Sequence, residues 1–360
     1  MQILFPIKLL ILINRSIQMS FLAQQKFLER ILKFFFKIPI LVLSVFFKKK
    51  PPFRGHQFDT QSQALISLQP SIDLSSILDN DIESIRNLVI KNRVQHNLSA
   101  SPKSFVNKVD HFLGKDDTLC REYIPSKISS NKAILFFHGG GYVLNSVDTH
   151  DGYVSYMTDK LQTKTYSLEY KLAPEYEYPI ALNDAIEAYY WLIKKGYKPE
   201  NISLCGDSAG AHLAASLVHK LIEVDKENIP HSQFLIYPMC DPDCNSESYD
   251  FLSEGYLLTK KTMVWFWDKL GNNKNNKNDP AFNLLKLNSD IKLPNTIIIT
   301  AGFDPLCDDG EKYAYLLHKR RDNVKQLHYP TMFHGFVSST RLNAAKIAVD
   351  DFLEEYKKII

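Results

Sequence analysis

The sequence predicts an α/β fold with a mostly parallel central sheet and helices on both of its faces. Three observations carry this expectation. From residue 133 onward, short apolar runs alternate with amphipathic stretches. The string Gly206-Asp207-Ser208-Ala209-Gly210 joins one such run to a helix, and Ser208, Asp304 and His334 fall in that order at the ends of successive candidate strands. At 360 residues, 45% hydrophobic and 23% charged, with 14 Gly and 17 Pro, the chain has ample length for a core and is unlike collagen-like, disordered or coiled-coil sequences.

The elements follow in order. Lys48 to Pro52 reads as a linker, and Ile77, Ile82, Ile85, Leu88 and Val89 give helical spacing across Asp73 to Val94, so residues 51–104 form a helical lead-in. Ala133 to Phe137 is an apolar run of strand length ending in glycines. Thr165 to Tyr170, Asn201 to Cys205, Phe234 to Tyr237 and Thr296 to Thr300 are further strand candidates. Asn183 to Lys195 reads as a helix closed by two lysines and Gly196. Leu213, Leu217 and Leu221 mark a helix after Ser208, and Arg341 to Tyr356 ends the chain as an amphipathic helix. The stretch 240–279 interrupts the rhythm with an aromatic helix, Lys260 to Leu270, and an Asn/Lys-rich loop. It reads as an insertion above the sheet edge.

Charge separates the first 55 residues from the rest. They hold ten Lys and Arg against Glu29 alone, a charge of +9, which leaves −6 for the remainder of a chain whose total is +3. An acidic body without a basic stripe argues against nucleic acid as a partner. The uncharged stretch Ile38 to Phe47 is too short to span a bilayer, and no charged segment or small-residue cleavage site makes the start a signal peptide. Phe21 to Phe36 instead has amphipathic spacing with a basic face, so residues 1–50 are expected to associate with an anionic membrane surface. Five thinly spread cysteines point to a reduced setting, the cytoplasmic side. Cys240 and Cys244 resemble half a metal site, but no second Cys/His pair lies at zinc spacing, so neither metal nor cofactor is expected. Oligomeric state is not readable from the sequence.

The chemistry-bearing residues form a set. Gly206 and Gly210 flank Ser208 in the strand, sharp turn, helix context of a nucleophile elbow, where a Cβ two residues either side of the serine would clash. His138-Gly139-Gly140-Gly141 follows the run ending at Phe137, and its glycines free the backbone to aim N–H groups at an oxyanion. It has neither the Gly-Lys-Ser/Thr ending nor the Gly-x-Gly-x-x-Gly spacing of a phosphate loop. Asp304 and His334 then supply an acid and a base in the order of an α/β-hydrolase triad, with Asp308 a second candidate for the acid.

From about Ser126 to its end the chain resembles the hormone-sensitive lipase-like family of α/β-hydrolase esterases, which includes the arylacetamide deacetylases. The resemblance rests on His138 to Gly141, Tyr170-Lys171-Leu172-Ala173-Pro174-Glu175, Gly206 to Gly210, Asp304 to Asp308, and His334-Gly335-Phe336. It implies that residues 105–360 form an α/β-hydrolase catalytic domain in which Ser208 is the nucleophile and Asp304 and His334 complete the triad. It also implies that the N–H groups of Gly140, Gly141 and Ala209 form the oxyanion hole, and that the lead-in and the insertion form a helical cap. Lys171 stands where the family usually has Arg, and Ala211-His212 where it has Gly-Asn; His212 reads as a structural helix residue. The implied activity is hydrolysis of a small, lipophilic ester with short- to medium-chain acyl or aryl groups. The same triad would serve amide deacetylation, and a gibberellin-receptor-like branch uses the fold for binding without catalysis.

The leader reading is checked by co-sedimentation with anionic vesicles. The full chain is expected to pellet and a chain starting at Pro51 to remain in the supernatant; equal pelleting removes the leader from the account.

Overall fold

The computed structural model describes residues 49–68, 82–87, 89 and 106–360. The expected leader, save Lys49 and Lys50, and most of Asp73 to Val94 lie outside the described residues. Within that helical lead-in, residues 82–87 and 89 are helical. Among the described residues no helix is long and apolar enough to cross a membrane.

Among the described residues eight strands form one sheet: β1 (Val106–Leu113), β2 (Thr118–Pro125), β3 (Ala133–Phe137), β4 (Lys164–Leu168), β5 (Ile202–Asp207), β6 (Ser232–Ile236), β7 (Asn295–Phe303) and β8 (Val324–Phe333). Their order is β1-β2-β4-β3-β5-β6-β7-β8. The β1–β2 and β2–β4 pairs are antiparallel, and every pair from β4 through β3 to β8 is parallel. Among the described residues the α-helices given a label are α1 (Thr60–Leu68), α2 (Val147–Leu161), α3 (Ile180–Lys194), α4 (Ala209–Val224), α5 (Glu247–Phe251), α6 (Lys260–Leu270), α7 (Cys307–Lys319) and α8 (Asn343–Lys357).

The strand alternation builds two cores. In β3 every side chain is buried; Ala133, Leu135 and Phe137 face α3, α4 and α7, while Ile134 and Phe136 face α2 and α8. A strand with both faces covered reads as a continuous apolar run, which is why this one is plain in the sequence. Truncating a ring such as Phe136 here would cost about 3–5 kcal/mol.

Helix ends follow local chemistry. Ser146 caps α2 reciprocally with Thr149: the Ser146 hydroxyl accepts from the Thr149 N–H at 3.3 Å, and the Thr149 hydroxyl accepts from the Ser146 N–H at 3.0 Å. α3 starts at Ile180, three residues before the expected Asn183, and ends at Lys194, where Gly196 N–H reaches Ile193 O at 3.0 Å and Tyr197 N–H reaches Leu192 O at 3.1 Å. β5 extends two residues past the expected Cys205, because Gly206 and Asp207 remain paired with Leu235 and Ile236 of β6. The aromatic helix occupies Lys260–Leu270 as expected.

The sequence reading sets His334 at a strand end but gives no range for that strand, β8, nor for β1 and β2. β1 and β8 are the sheet's edges, so each is partly solvated and carries charged residues such as Lys108, Asp110 and Lys325 in place of an apolar run. β8 also holds Pro330 beside a register irregularity against β7.

Two histidines of α4 bind the chain that follows α6. His212 Nε2 donates to Phe282 O at 2.8 Å and its Nδ1 accepts from Tyr142 Oη at 2.6 Å. His219 Nδ1 donates to Pro280 O at 2.7 Å and its Nε2 accepts from Tyr313 Oη at 2.7 Å. Burial lowers both imidazoles to about 4, so the folded protein holds them neutral. His212 is thus a structural helix residue. Since the folded values lie below the unfolded one, the unfolded chain takes up more protons as pH falls, and stability present above about pH 6.5 is lost on the way to pH 4. Urea midpoints measured from pH 7.5 to 4.5 are expected to fall, and the fall to shrink in His219→Gln; an unaltered pH slope would assign the acid sensitivity elsewhere.

Candidate active site

The C-terminal ends of β3, β5, β7 and β8 gather the residues singled out above, at the sheet edge where ligands collect in open α/β folds. Ser208 sits between β5 and α4 with φ 56° and ψ −118°, a conformation that costs about 1–3 kcal/mol in a residue with a Cβ. The turn is held by close packing. A Cβ on Gly206 would lie 2.3 Å from the Gly210 backbone, and one on Gly210 would lie 1.9 Å from the carbonyl oxygen of Phe137 in β3. The Ser208 N–H donates to Ile236 O at 2.8 Å, tying the turn to β6.

His334 follows β8 and brings Nε2 to 2.9 Å from Ser208 Oγ. Its Nδ1 lies 2.7 Å from Oδ2 of Asp304, which is fully buried beyond β7 and whose Oδ1 accepts the Leu306 N–H at 2.8 Å. The Tyr237 ring packs 4.6 Å from the imidazole. Asp308, the other acid considered, is engaged elsewhere. It accepts from Arg54 Nη2 at 2.5 Å and from the Ser248 N–H at 3.0 Å, and Ser248 Oγ donates to Pro305 O at 2.7 Å. These bonds hold the loop carrying Asp304 from outside. One residue on, burial raises the Asp309 carboxyl to about 8, although it accepts the N–H groups of Cys240 and Asp241 at 3.1 and 3.2 Å. It fastens the same loop to the chain after β6.

The glycine loop faces the serine. Gly139 N–H donates to Asp207 Oδ1 at 2.8 Å, and His150 Nε2 lies 3.2 Å from the same oxygen, so Asp207 couples the elbow to the loop. His138 stacks on Tyr170 at 4.4 Å, and Tyr170 Oη donates to His138 O at 2.6 Å. Gly140 and Gly141 have φ 131° and 62°. Among the described residues, the N–H groups of Gly140, Gly141 and Ala209 donate to no protein acceptor. The Ala209 N–H also opens α4, so the positive end of that helix adds to it.

The aromatic helix divides its roles. Trp267 is core, edge-on to His212 at 5.2 Å and against Phe282 at 5.1 Å. Phe266 covers the glycine loop so closely that a Cβ on Gly141 would lie 2.1 Å from its ring. Cys240 and Cys244 are buried and unpaired, and their thiols face the carbonyls of Pro238 and Asp241. Cys307, Glu311 and His328 bring ligand-type atoms within 4.8 Å of one another, and the cation against that cluster is the Arg54 guanidinium, 3.0 Å from Glu311 and 4.0 Å from the Cys307 sulfur. Sequence reasoning missed Arg54, Tyr237 and Asp309, which carry no motif signal and act through contacts with residues far away along the chain.

A family profile described as alpha/beta hydrolase fold matches residues 134–338. The chain belongs to that family. This α/β-hydrolase is 32% identical over 237 residues to the carboxylic ester hydrolase LipN of Mycobacterium tuberculosis, covering 63% of each chain. It is 31% identical over 209 residues to an ethyl acetate hydrolase of Pseudomonas putida, covering 57% of this chain and 66% of the relative. The matched stretch thus spans a little under two thirds of each of these relatives. Among solved structures, the Francisella virulence factor BioJ superposes with a TM-score of 0.73 at 32% identity, covering 82% of this chain and 98% of that one. These matches agree with the hormone-sensitive lipase-like resemblance and its α/β-hydrolase fold.

Proposed function

We propose that this α/β-hydrolase is a serine carboxylesterase acting on small esters with short- to medium-chain acyl or aryl groups. The observation that carries the reading is the continuous chain from Ser208 Oγ to His334 at 2.9 Å and from His334 to Asp304 at 2.7 Å, beside a glycine loop with uncommitted N–H donors. The names of the relatives above support the same class of reaction.

In this reading His334 Nε2 takes the Ser208 proton as Oγ attacks the ester carbonyl, and Asp304 holds the imidazole so that Nδ1 keeps its hydrogen. The carbonyl oxygen becomes an oxyanion and receives the N–H groups of Gly140, Gly141 and Ala209. Donors already fixed in a buried turn stabilise that charge without reorganising, and each such donor is worth about 10²–10³ in rate. His334 then protonates the leaving alcohol, and water activated by the same imidazole hydrolyses the acyl-enzyme. The roles of His138, Gly139, Gly206, Asp207 and Gly210 are to hold loop and elbow in register. Ser208 and His334 are only 6% and 9% exposed, and Phe266 closes over Gly141, which favours short acyl groups.

Hydrolysis of p-nitrophenyl esters from acetate to palmitate tests this reading. Activity is expected on the short chains, with Ser208→Ala lowering kcat by at least about 10⁴-fold while the thermal midpoint stays close to wild type. Full activity in that variant would reject the assignment. Phe266→Ala removes the ring above Gly141 and is expected to raise kcat/KM for octanoate relative to acetate by about tenfold; an unchanged chain-length profile would place the acyl group away from Phe266.

A further inference from the structure

We propose that Arg86 is the positioning residue of the oxyanion-binding loop, an inference that rests on the esterase reading above. Arg86 lies in the helical segment 82–87, whose Ile85 is buried in the core shared with Phe137 and α4. Its side chain is 19% exposed. Nε donates to Val143 O at 2.7 Å and Nη2 to Ala173 O at 2.7 Å. The outer edge of the guanidinium meets the Glu175 carboxylate, Nη1 to Oε1 at 2.9 Å and Nη2 to Oε2 at 2.8 Å. A planar fork can reach two carbonyls and a carboxylate together; a lysine ammonium, a point charge on a flexible stem, cannot match that geometry.

The link to chemistry runs through one peptide plane. Gly140 O accepts the N–H groups of Val143 at 3.1 Å and Leu144 at 2.9 Å. In a planar trans peptide the C=O and N–H point opposite ways, so fixing the Gly140 carbonyl on that side turns the Gly141 N–H to the other. The Ala173 N–H meanwhile donates to Tyr142 O at 2.8 Å. Arg86 therefore closes a ring of backbone contacts in which Val143 and Ala173 are joined through the guanidinium and Tyr142 bridges them. Val143 and Ala173 are both fully buried, so removing the donor leaves their carbonyls without it and away from water. The residue touches no reacting atom; it acts through the orientation of Gly141.

The test compares full-length wild type with Arg86→Ala, measuring kcat and KM on p-nitrophenyl butyrate and the inhibition constant of an aryl trifluoromethyl ketone. Ser208 Oγ adds to the ketone carbon, the serine proton passes to His334 Nε2, and the ketone oxygen becomes an oxyanion held as in the ester reaction. The expected result is a fall in kcat of about 10–100-fold with KM within about threefold. The inhibition constant rises in proportion to the loss in kcat/KM, and added guanidinium restores part of kcat. Arg86→Lys, which keeps charge and stem but not the fork, shows a smaller fall of the same kind and replaces the alanine variant if that one does not fold. Unchanged kcat with a lowered thermal midpoint, or a raised KM alone, overturns the inference by making Arg86 a helix anchor or a substrate contact. A wild-type protein that hydrolyses no ester and forms no Ser208 adduct overturns the esterase reading itself, which separates the two failures.

Discussion

The contact between Gly210 and the end of β3 governs the rest of this structure. With 1.9 Å between a hypothetical Gly210 Cβ and Phe137 O, the first turn of α4 lies directly against the neighbouring strand. This proximity brings two separate stretches together, because the strand that ends at Phe137 continues at once into His138 and the glycine loop. Helix, serine and loop thus converge because two parallel strands sit side by side and no side chain intervenes. The positive φ of Ser208 follows from the same packing: the chain must reverse from strand to helix within one residue. That conformational cost is offset by the Ser208 bond to Ile236 and by the buried apolar faces of β5 and α4.

How much of this was legible depended on how each residue acts. Ala133–Phe137 is a run of five apolar residues because both sheet faces are covered, and burial writes itself into composition. Ser208, Asp304 and His334 were legible because each is fixed by its place at a strand end and by small or turn-forming neighbours. The edge strands were hidden since solvent accepts Lys108 and Lys325 there, erasing any apolar run. Arg54, Arg86 and Tyr237 were hidden for a different reason. The contacts named above for Arg54 and Arg86 reach residues from 57 to 257 positions away along the chain, and the Tyr237 ring lies tilted against His334 beyond a different strand; no local pattern encodes such a contact.

Histidine shows how little a residue type says without its surroundings. His334, His138, His212 and His219 are all buried. His334 alone of these has a carboxylate on one nitrogen and a serine hydroxyl on the other, an arrangement that lets a proton move between fixed partners. His212 and His219 each use one nitrogen on a backbone carbonyl and the other on a tyrosine hydroxyl, which holds the neutral ring. His138 stacks on Tyr170 and braces the glycine loop through its own backbone. The same imidazole is thereby a proton relay in the proposed reaction, a staple or a spacer according to its partners.

The two halves of the site are supported from the same part of the chain. Ser208 is held by the sheet, through glycine packing and strand pairing, and needs little from elsewhere. The acid loop and the glycine loop are irregular backbone, and irregular backbone keeps its shape only if its carbonyls and N–H groups are satisfied. Arg54 binds Asp308 at 2.5 Å behind the acid loop, and Arg86 binds Val143 O at 2.7 Å behind the glycine loop. Both arginines precede the first strand, in segments that contribute nothing to the sheet. Guanidinium suits the task because one planar group can satisfy several acceptors at once at fixed angles. On the proposed reading Arg54 and Arg86 therefore belong to the working parts of the site: they brace two loops that the sheet merely delivers.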